Sequence, residues 1–181
     1  MYIYTKALII LFILFDVNSM YHKQQQKLVI YNVPHHSAID FISGSACSFA
    51  GDSVVLADAS IRNFNLKAAN IRNHVYNAYL SNALPNVNNI VLRFGPKKIV
   101  LLDRPLSIPA KVEKKIPVDV IVICRNANIS MTDLKQLFDV DQIVVDGSNS
   151  QWKTAQWKKD CEQLHLRFHS VTSDGAFTMK I

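Results

Sequence analysis

The chain has 181 residues and a mass of 20.5 kDa, enough for about one domain with a sizeable core. Hydrophobic residues make up 49% and charged residues 19%, which excludes a disordered chain, and 3 cysteines exclude a disulfide scaffold. Lys and Arg (20) exceed Asp and Glu (14) for a formal charge of +6, and the 5 glycines stand too far apart for G-x-G-x-x-G or a P-loop.

Residues 1–20 carry an apolar run from Ala7 to Phe15, preceded by Lys6 and closed by Asp16. Three readings are open: a cleaved signal with small-residue spacing at Val17-Asn18-Ser19, an uncleaved anchor, or the end of a longer transmembrane helix. All three leave the N-terminus inside and the rest of the chain outside the cytoplasm, because Lys6 precedes the run. Residues 21–27 are polar without an apolar period and read as a tether.

Leu28 to Val33 is β-branched and aromatic and predicts a strand stopped by Pro34. Ser37–Ile42 and Ala46–Ala50 predict a hairpin about Ser43-Gly44-Ser45. Ser53 to Leu84 is broadly compatible with helical spacing, ended by Pro85. Ile90–Phe94 and Ile99–Asp103 predict a second hairpin with Lys97 and Lys98 at its tip. Pro105, Pro109 and Pro117 then punctuate a loop carrying Lys111, Lys114 and Lys115.

The last third alternates strand and helix. Val118–Cys124 predicts a strand buried on both faces, and Ser130 with Asp133 predicts a capping box opening a helix through Phe138. Gln142–Asp146 is a second buried strand. A helix capped by Ser148 or Ser150 and holding Trp157, Cys161 and Leu164 follows, then strands over Arg167–Val171 and Ala176–Ile181. This order predicts an α/β fold with a small parallel arrangement and a hairpin end, in one domain over residues 28–181.

Lys27–Pro34 with Ser37–Ile42, and Gln142–Asn149 through Trp152, Trp157, Cys161, Leu164 and His169–Val171 to Asp174–Phe177, resemble the C-terminal domain of ComEC-type competence proteins, in particular the Bacteroidetes versions. The likeness spans nearly the whole chain, with residues 1–20 matching the close of the last membrane helix of that family. It implies an inner-membrane protein of DNA uptake and transformation, its soluble domain on the periplasmic side. It also implies a metallo-β-lactamase-like fold, two sheets sandwiched between helices. One apolar segment cannot enclose a pore, so the chain is expected to be either a tail fragment joined to upstream channel helices or a separately encoded piece that docks on channel helices supplied elsewhere.

In that fold a strand like Val118–Cys124 normally delivers His-x-His-x-Asp-His, which binds two metals and activates water. Here Arg125-Asn126-Ala127-Asn128-Ile129-Ser130 follow, and the six histidines include no His-x-His spacing. Arg125 would place a positive charge where cations should sit. The expectation is therefore a domain that has lost its metal site, with no enzymatic activity, no catalytic residue, no metal and no small-molecule cofactor. The alternatives are a hydrolase holding metal through His35, His36, Asp52 and Asp58, or a secreted protein-interaction domain.

Adjacent His35 and His36 cannot readily share one metal on a strand. His165 and His169 have the i, i+4 spacing but lack the Glu of H-E-x-x-H. Cys124, with Arg125 beside it, is a candidate thiolate, while its apolar run favours a small core residue, as for Cys47 and Cys161. Trp152 and Trp157 could stack bases, with Lys153, Lys158 and Lys159 meeting phosphates, whereas the spacing of Trp157 favours packing. Lys97, Lys98, Lys153, Lys158 and Lys159 are the candidate contacts for a weak, salt-sensitive interaction with DNA.

Overall fold

Strand-forming segments cluster at both ends of the chain and in its middle, and they pair across those distances. The structure, a computed structural model, describes residues 24–75, 77–78, 89–106 and 114–181, together with residues 4, 6 and 10–12. Strands β1 (Gln26–Ile30), β2 (Ala38–Ser43), β3 (Ala46–Gly51), β4 (Asn77–Ala78) and β10 (Phe177–Lys180) form one sheet in the order β10-β1-β2-β3-β4. Strands β5 (Ile90–Phe94), β6 (Lys97–Leu102), β7 (Ile116–Ile123), β8 (Phe138–Val145) and β9 (Phe168–Ser170) form the other, in chain order.

The pleat sends alternate side chains to opposite faces, and both faces of both sheets are apolar. Leu28 and Ile30 of β1, Ile39 and Phe41 of β2, Ile99 and Leu101 of β6, Val120 and Val122 of β7 and Val144 of β8 meet between the sheets. Val100, Ile121, Ile123, Ile143 and Val145 point the other way and are covered by α4 (Met131–Leu137) and α5 (Gln151–Gln163), through Met131, Leu134, Trp157 and Cys161. On the outer face of the first sheet Val29, Ile42, Cys47 and Phe49 pack under Val55 of α1 (Ser53–Ala57) and Leu66. The result is a mixed α/β sandwich of two sheets with helices on both outer faces. On that outer face the buried Asp40 accepts from the Tyr31 hydroxyl at 2.7 Å.

Both predicted hairpins form, and β6 to β9 run parallel as the alternating pattern predicts. The closing strand departs from it. β10 does not fold back on β9; α6 (Val171–Asp174) and Gly175 carry the chain to the first sheet, where β10 pairs antiparallel with β1. The helix expected over Ser53–Leu84 is three short helices, α1, α2 (Ala59–Asn65) and α3 (Lys67–Arg72), followed by β4. Asp58 interrupts it in extended geometry, its carboxylate accepting from the Ser60 and Ile61 amides as the N-cap of α2. Residues 79–84 of that expectation lie outside the described residues. The predicted capping box of α4 does not form, since the Ser130 side chain caps nothing, whereas Ser150 accepts from the Lys153 amide and opens α5.

Strand β1 begins at Gln26, inside the segment read as a tether. The membrane segment read over residues 1–20 lies almost wholly outside the described residues. Among the described residues no helix is long and apolar enough to cross a membrane.

Candidate functional site

The parallel strands β6, β7 and β8 end at one edge of the sandwich, the place where α/β sheets expose polar loop residues. Leu102 is followed by Asp103, Ile123 by Cys124-Arg125-Asn126, and Val145 by Asp146-Gly147-Ser148-Asn149. The first sheet brings two more segments to this edge, the β1–β2 connection through Ser37 and the end of β3 with Asp52.

Arg125 is the centre of the cluster. Its Nη2 lies 2.7 Å from Asp52 Oδ1 and its Nη1 3.3 Å from Asp103 Oδ2, so one guanidinium ties the first sheet to the second. The Asp103 side chain is only 6% exposed, against 35% for Arg125. Burial pulls the Asp52 carboxyl upward, but the Ser37 amide and Arg125 outweigh it and hold its pKa below the usual carboxylate value. Burial likewise opposes the charge on Arg125, and Asp52 and Asp103 overcome it, raising the guanidinium pKa further. His36 Nδ1 stands 3.5 Å from the other oxygen of Asp52.

Beneath this pair lies a second, buried carboxyl. Asp146 is 1% exposed. Its Oδ1 accepts from the Ser148 amide at 3.0 Å, from the Ser148 hydroxyl and from Asn149 Nδ2 at 2.9 Å. The Ser37 hydroxyl and the Cys124 thiol also face this carboxyl. Burial dominates here and raises its pKa above the usual value, despite the lowering by Ser148, Ser37 and Cys124. The same hub zips the two loops together: the Arg125 amide donates to Ser148 Oγ at 2.6 Å, the Asn126 amide to Asn149 Oδ1 at 2.8 Å and the Ser150 amide to Asn126 Oδ1 at 2.7 Å. Arg125 and Asn126 adopt left-handed backbone, with φ of 52° and 54°, to present these donors.

A two-metal centre does not fit this donor set. The position that carboxylates would offer to a cation is taken by the guanidinium of the chain itself. Among the described residues no three His, Cys, Asp or Glu side chains converge as a ligand group. Of the alternative ligands His35, His36, Asp52 and Asp58, only His36 and Asp52 are brought together. His35 is exposed with φ of 64°, and the Asp58 carboxylate caps α2. His169 Nε2 donates to Gly175 O at 2.9 Å and the ring packs edge-on to Phe177, a role in the fold, while His165 is exposed past the end of α5.

Cys124 is no thiolate. Burial and Asp146 push its pKa well above the ordinary thiol value, and the neighbouring Arg125 does not reverse this. Cys47 and Cys161 are buried as well, the latter with its pKa pushed up to about 12 chiefly by burial.

The model of the ComEC C-terminal domain family matches residues 28–181. The chain belongs to this family, one of competence and DNA-uptake proteins. Comparisons with curated proteins and with solved structures return no match.

The lysines of this ComEC domain do not form one patch. Lys97 is paired with Asp119 at 2.6 Å, and Lys98 is exposed beside it with its amide on the same carboxylate. These two stand at the start of β6, roughly 17 Å along the strand from the Arg125 edge. Lys153 Nζ donates to Asn126 O at 2.6 Å and sits 5.8 Å over the Trp157 ring. Trp157 is core, its indole donating to Ile129 O at 3.1 Å, whereas Trp152 is 73% exposed. Lys158 and Lys159 are exposed on α5, as are Lys114 and Lys115 before β7; Lys111 lies outside the described residues.

Sequence reasoning singled out Arg125 and Asp52 but missed Ser37, Asp103, Asp146, Ser148 and Asn149. The available signal was polar residues placed directly after buried strands, as in Leu102-Asp103 and Val145-Asp146-Gly147-Ser148-Asn149. Gly147 shows how tightly this edge is built. A Cβ there would lie 2.2 Å from Val33 O, in the loop whose His35 amide donates to Gly147 O at 2.9 Å. Gly147→Ala should cost about 2 kcal/mol by displacing that loop, read as a lowered denaturant midpoint at unchanged slope.

Proposed function

We propose that this domain is a non-catalytic, extracytoplasmic part of a ComEC-type DNA-uptake protein, in a metallo-β-lactamase-like fold that has exchanged its metals for an internal cation. The observation that carries the reading is Arg125 seated between Asp52 and Asp103 at the strand ends. A guanidinium there supplies the charge balance that a divalent ion would supply, and it supplies no activated water. The order of layers, helices on two facing sheets, supports the fold assignment.

The test is metal analysis of the purified chain beside a cleavage assay on single-stranded DNA with magnesium, manganese or zinc. The expected result is no stoichiometric metal and no metal-dependent cleavage. Tight zinc or manganese together with cleavage would replace this reading with the hydrolase.

The remaining work of the domain is scaffolding and weak guidance of DNA beside a channel formed by other membrane helices. Lys98, Lys158 and Lys159 are exposed cations for phosphate contact, while Lys97 and Lys153 are already engaged. Single-stranded DNA should bind weakly with a salt slope near 0.7 per phosphate neutralised, and the joint change Lys98→Gln, Lys158→Gln, Lys159→Gln should flatten it by up to about 2. An unchanged slope in that variant would move the contact elsewhere.

A further inference from the structure

Segments α2 and α3 behave as one helix. The Leu66 amide donates to Arg62 O and the Asn70 amide to Leu66 O, so the i to i−4 ladder passes through the turn at Leu66. The inner face carries Leu66, with Ile61 and Ala69 packed on the first sheet. The outer face carries a second apolar stripe: Phe64 is 87% exposed and Ile71 is 67% exposed, seven residues apart, with exposed Lys67 between them. Apolar residues on both faces of a helix that buries only one of them mark a surface with an occupant.

Cations gather beside the stripe. Lys27 at the start of β1 is held against the end of α3, its Nζ donating to Asn73 Oδ1 at 2.8 Å, and Gln25 donates to the Asn73 carbonyl. Burial, Lys180 and Arg72 together depress the Lys27 ammonium pKa, so three cations from β1, α3 and β10 crowd one corner. Among the described residues none of the three pairs with an acid. A cleft of about 260 Å³ opens between Lys27 and Lys180, lined also by Gln24–Gln26 and Ile181.

This corner is where the chain arrives from its N-terminal side. Eight residues lie between Phe15, the last of the apolar run, and Gln24, a reach of at most about 30 Å when fully extended. With the run in a bilayer, this reach holds the corner of Lys27 within about 30 Å of the lipid headgroups.

We infer that the outer face of α2–α3, with the corner of Lys27, Arg72 and Lys180, is a membrane seat that docks on anionic phospholipid, Phe64 and Ile71 entering the headgroup region. The arrangement has the chemistry of an interfacial amphipathic helix, an apolar stripe flanked by cations, built onto a folded domain. It rests on the reading of residues 1–20 as membrane-inserted and is independent of the metal question.

The test uses the full chain carrying an NBD fluorophore at Ala68→Cys, on the stripe between Phe64 and Ile71, with the three buried native cysteines unlabelled. The chain is floated with vesicles of phosphatidylcholine alone or with phosphatidylglycerol added. Emission should rise about twofold in the anionic vesicles and be quenched by spin-labelled lipid. A probe at Gln156→Cys, on the helix layer of the other sheet, should stay water-like. The triple change Lys27→Gln, Arg72→Gln, Lys180→Gln should abolish the rise while flotation persists. Equal signals at positions 68 and 156 overturn the inference. So does a rise at position 68 without lipid quenching, which would mean a protein covers this face. A chain that fails to float overturns it too, by removing the anchor, and leaves the role of Arg125 untouched.

Discussion

Replacing Arg125 by alanine is expected to lower stability by about 3 kcal/mol, the low end for breaking a buried pair because the guanidinium is one-third exposed. The loss falls on the carboxylates left behind. Asp103 is 6% exposed at the end of one sheet and Asp52 is 22% exposed at the end of the other, and without Arg125 their charges face each other across the edge. For a domain of this size the melting temperature should fall by roughly 10 °C. The variant should also recover part of the loss with millimolar calcium or manganese, since an external cation can then take the vacated place. The unsubstituted protein should show no such gain; equal stabilisation of both would mean that Arg125 is not the resident cation. The acid limb gives a second readout. Asp52 has a depressed pKa in the folded state, so its contribution is complete above the unfolded value of about 3.9 and is lost as pH falls through the folded value. Arg125→Ala should therefore flatten the stability profile in that acid window.

Those strands that are buried on both faces were the most legible part of the fold. Val118–Cys124 and Gln142–Asp146 hold the unbroken apolar runs Val120–Cys124 and Ile143–Val145, and no helix period competes with them, so β7 and β8 are identifiable directly. The segment after β3 reads as one helix because apolar residues recur loosely there. What divides it is Asp58, whose carboxylate binds two amides locally, a choice that periodicity cannot register. The partner of β10 was equally hidden, because Phe177–Lys180 pairs with Gln26–Ile30 across almost the full length of the chain. For the site the asymmetry is similar. Arg125 was visible as a cation at a strand end, but its partners Asp52 and Asp103 come from different sheets and only the three-dimensional fold makes them neighbours. In the sequence Asp146 is simply the last residue of a strand.

That residue carries the other large expectation. Asp146→Ala should cost about 3 kcal/mol, because the Ser148 amide and hydroxyl lose their acceptor and Asn149 Nδ2, which keeps the Ile123 and Asp146 carbonyls, loses its third. A cost of that size is a large part of the stability of an ordinary domain, so much of the variant should be unfolded near its growth temperature. Asp146→Asn separates the two roles of the side chain. The amide oxygen keeps all three donors satisfied, and the amide nitrogen faces Ser37 and Cys124 where the second carboxyl oxygen lies. The raised pKa of Asp146 fixes the direction of the pH effect. The folded state keeps the carboxyl proton above the unfolded value of about 3.9, so wild-type stability relative to Asp146→Asn should fall as pH rises from there to the folded value. Its slope cannot exceed about 1.4 kcal/mol per pH unit, and it should level off once the carboxyl ionises. This trend is opposite to the one from Asp52 and begins where that one ends, so a denaturation series from pH 2 to pH 9 on the three proteins reads both. A flat difference between wild type and Asp146→Asn would mean that the carboxyl binds its proton alike in the folded and unfolded states, its partners offsetting the effect of burial.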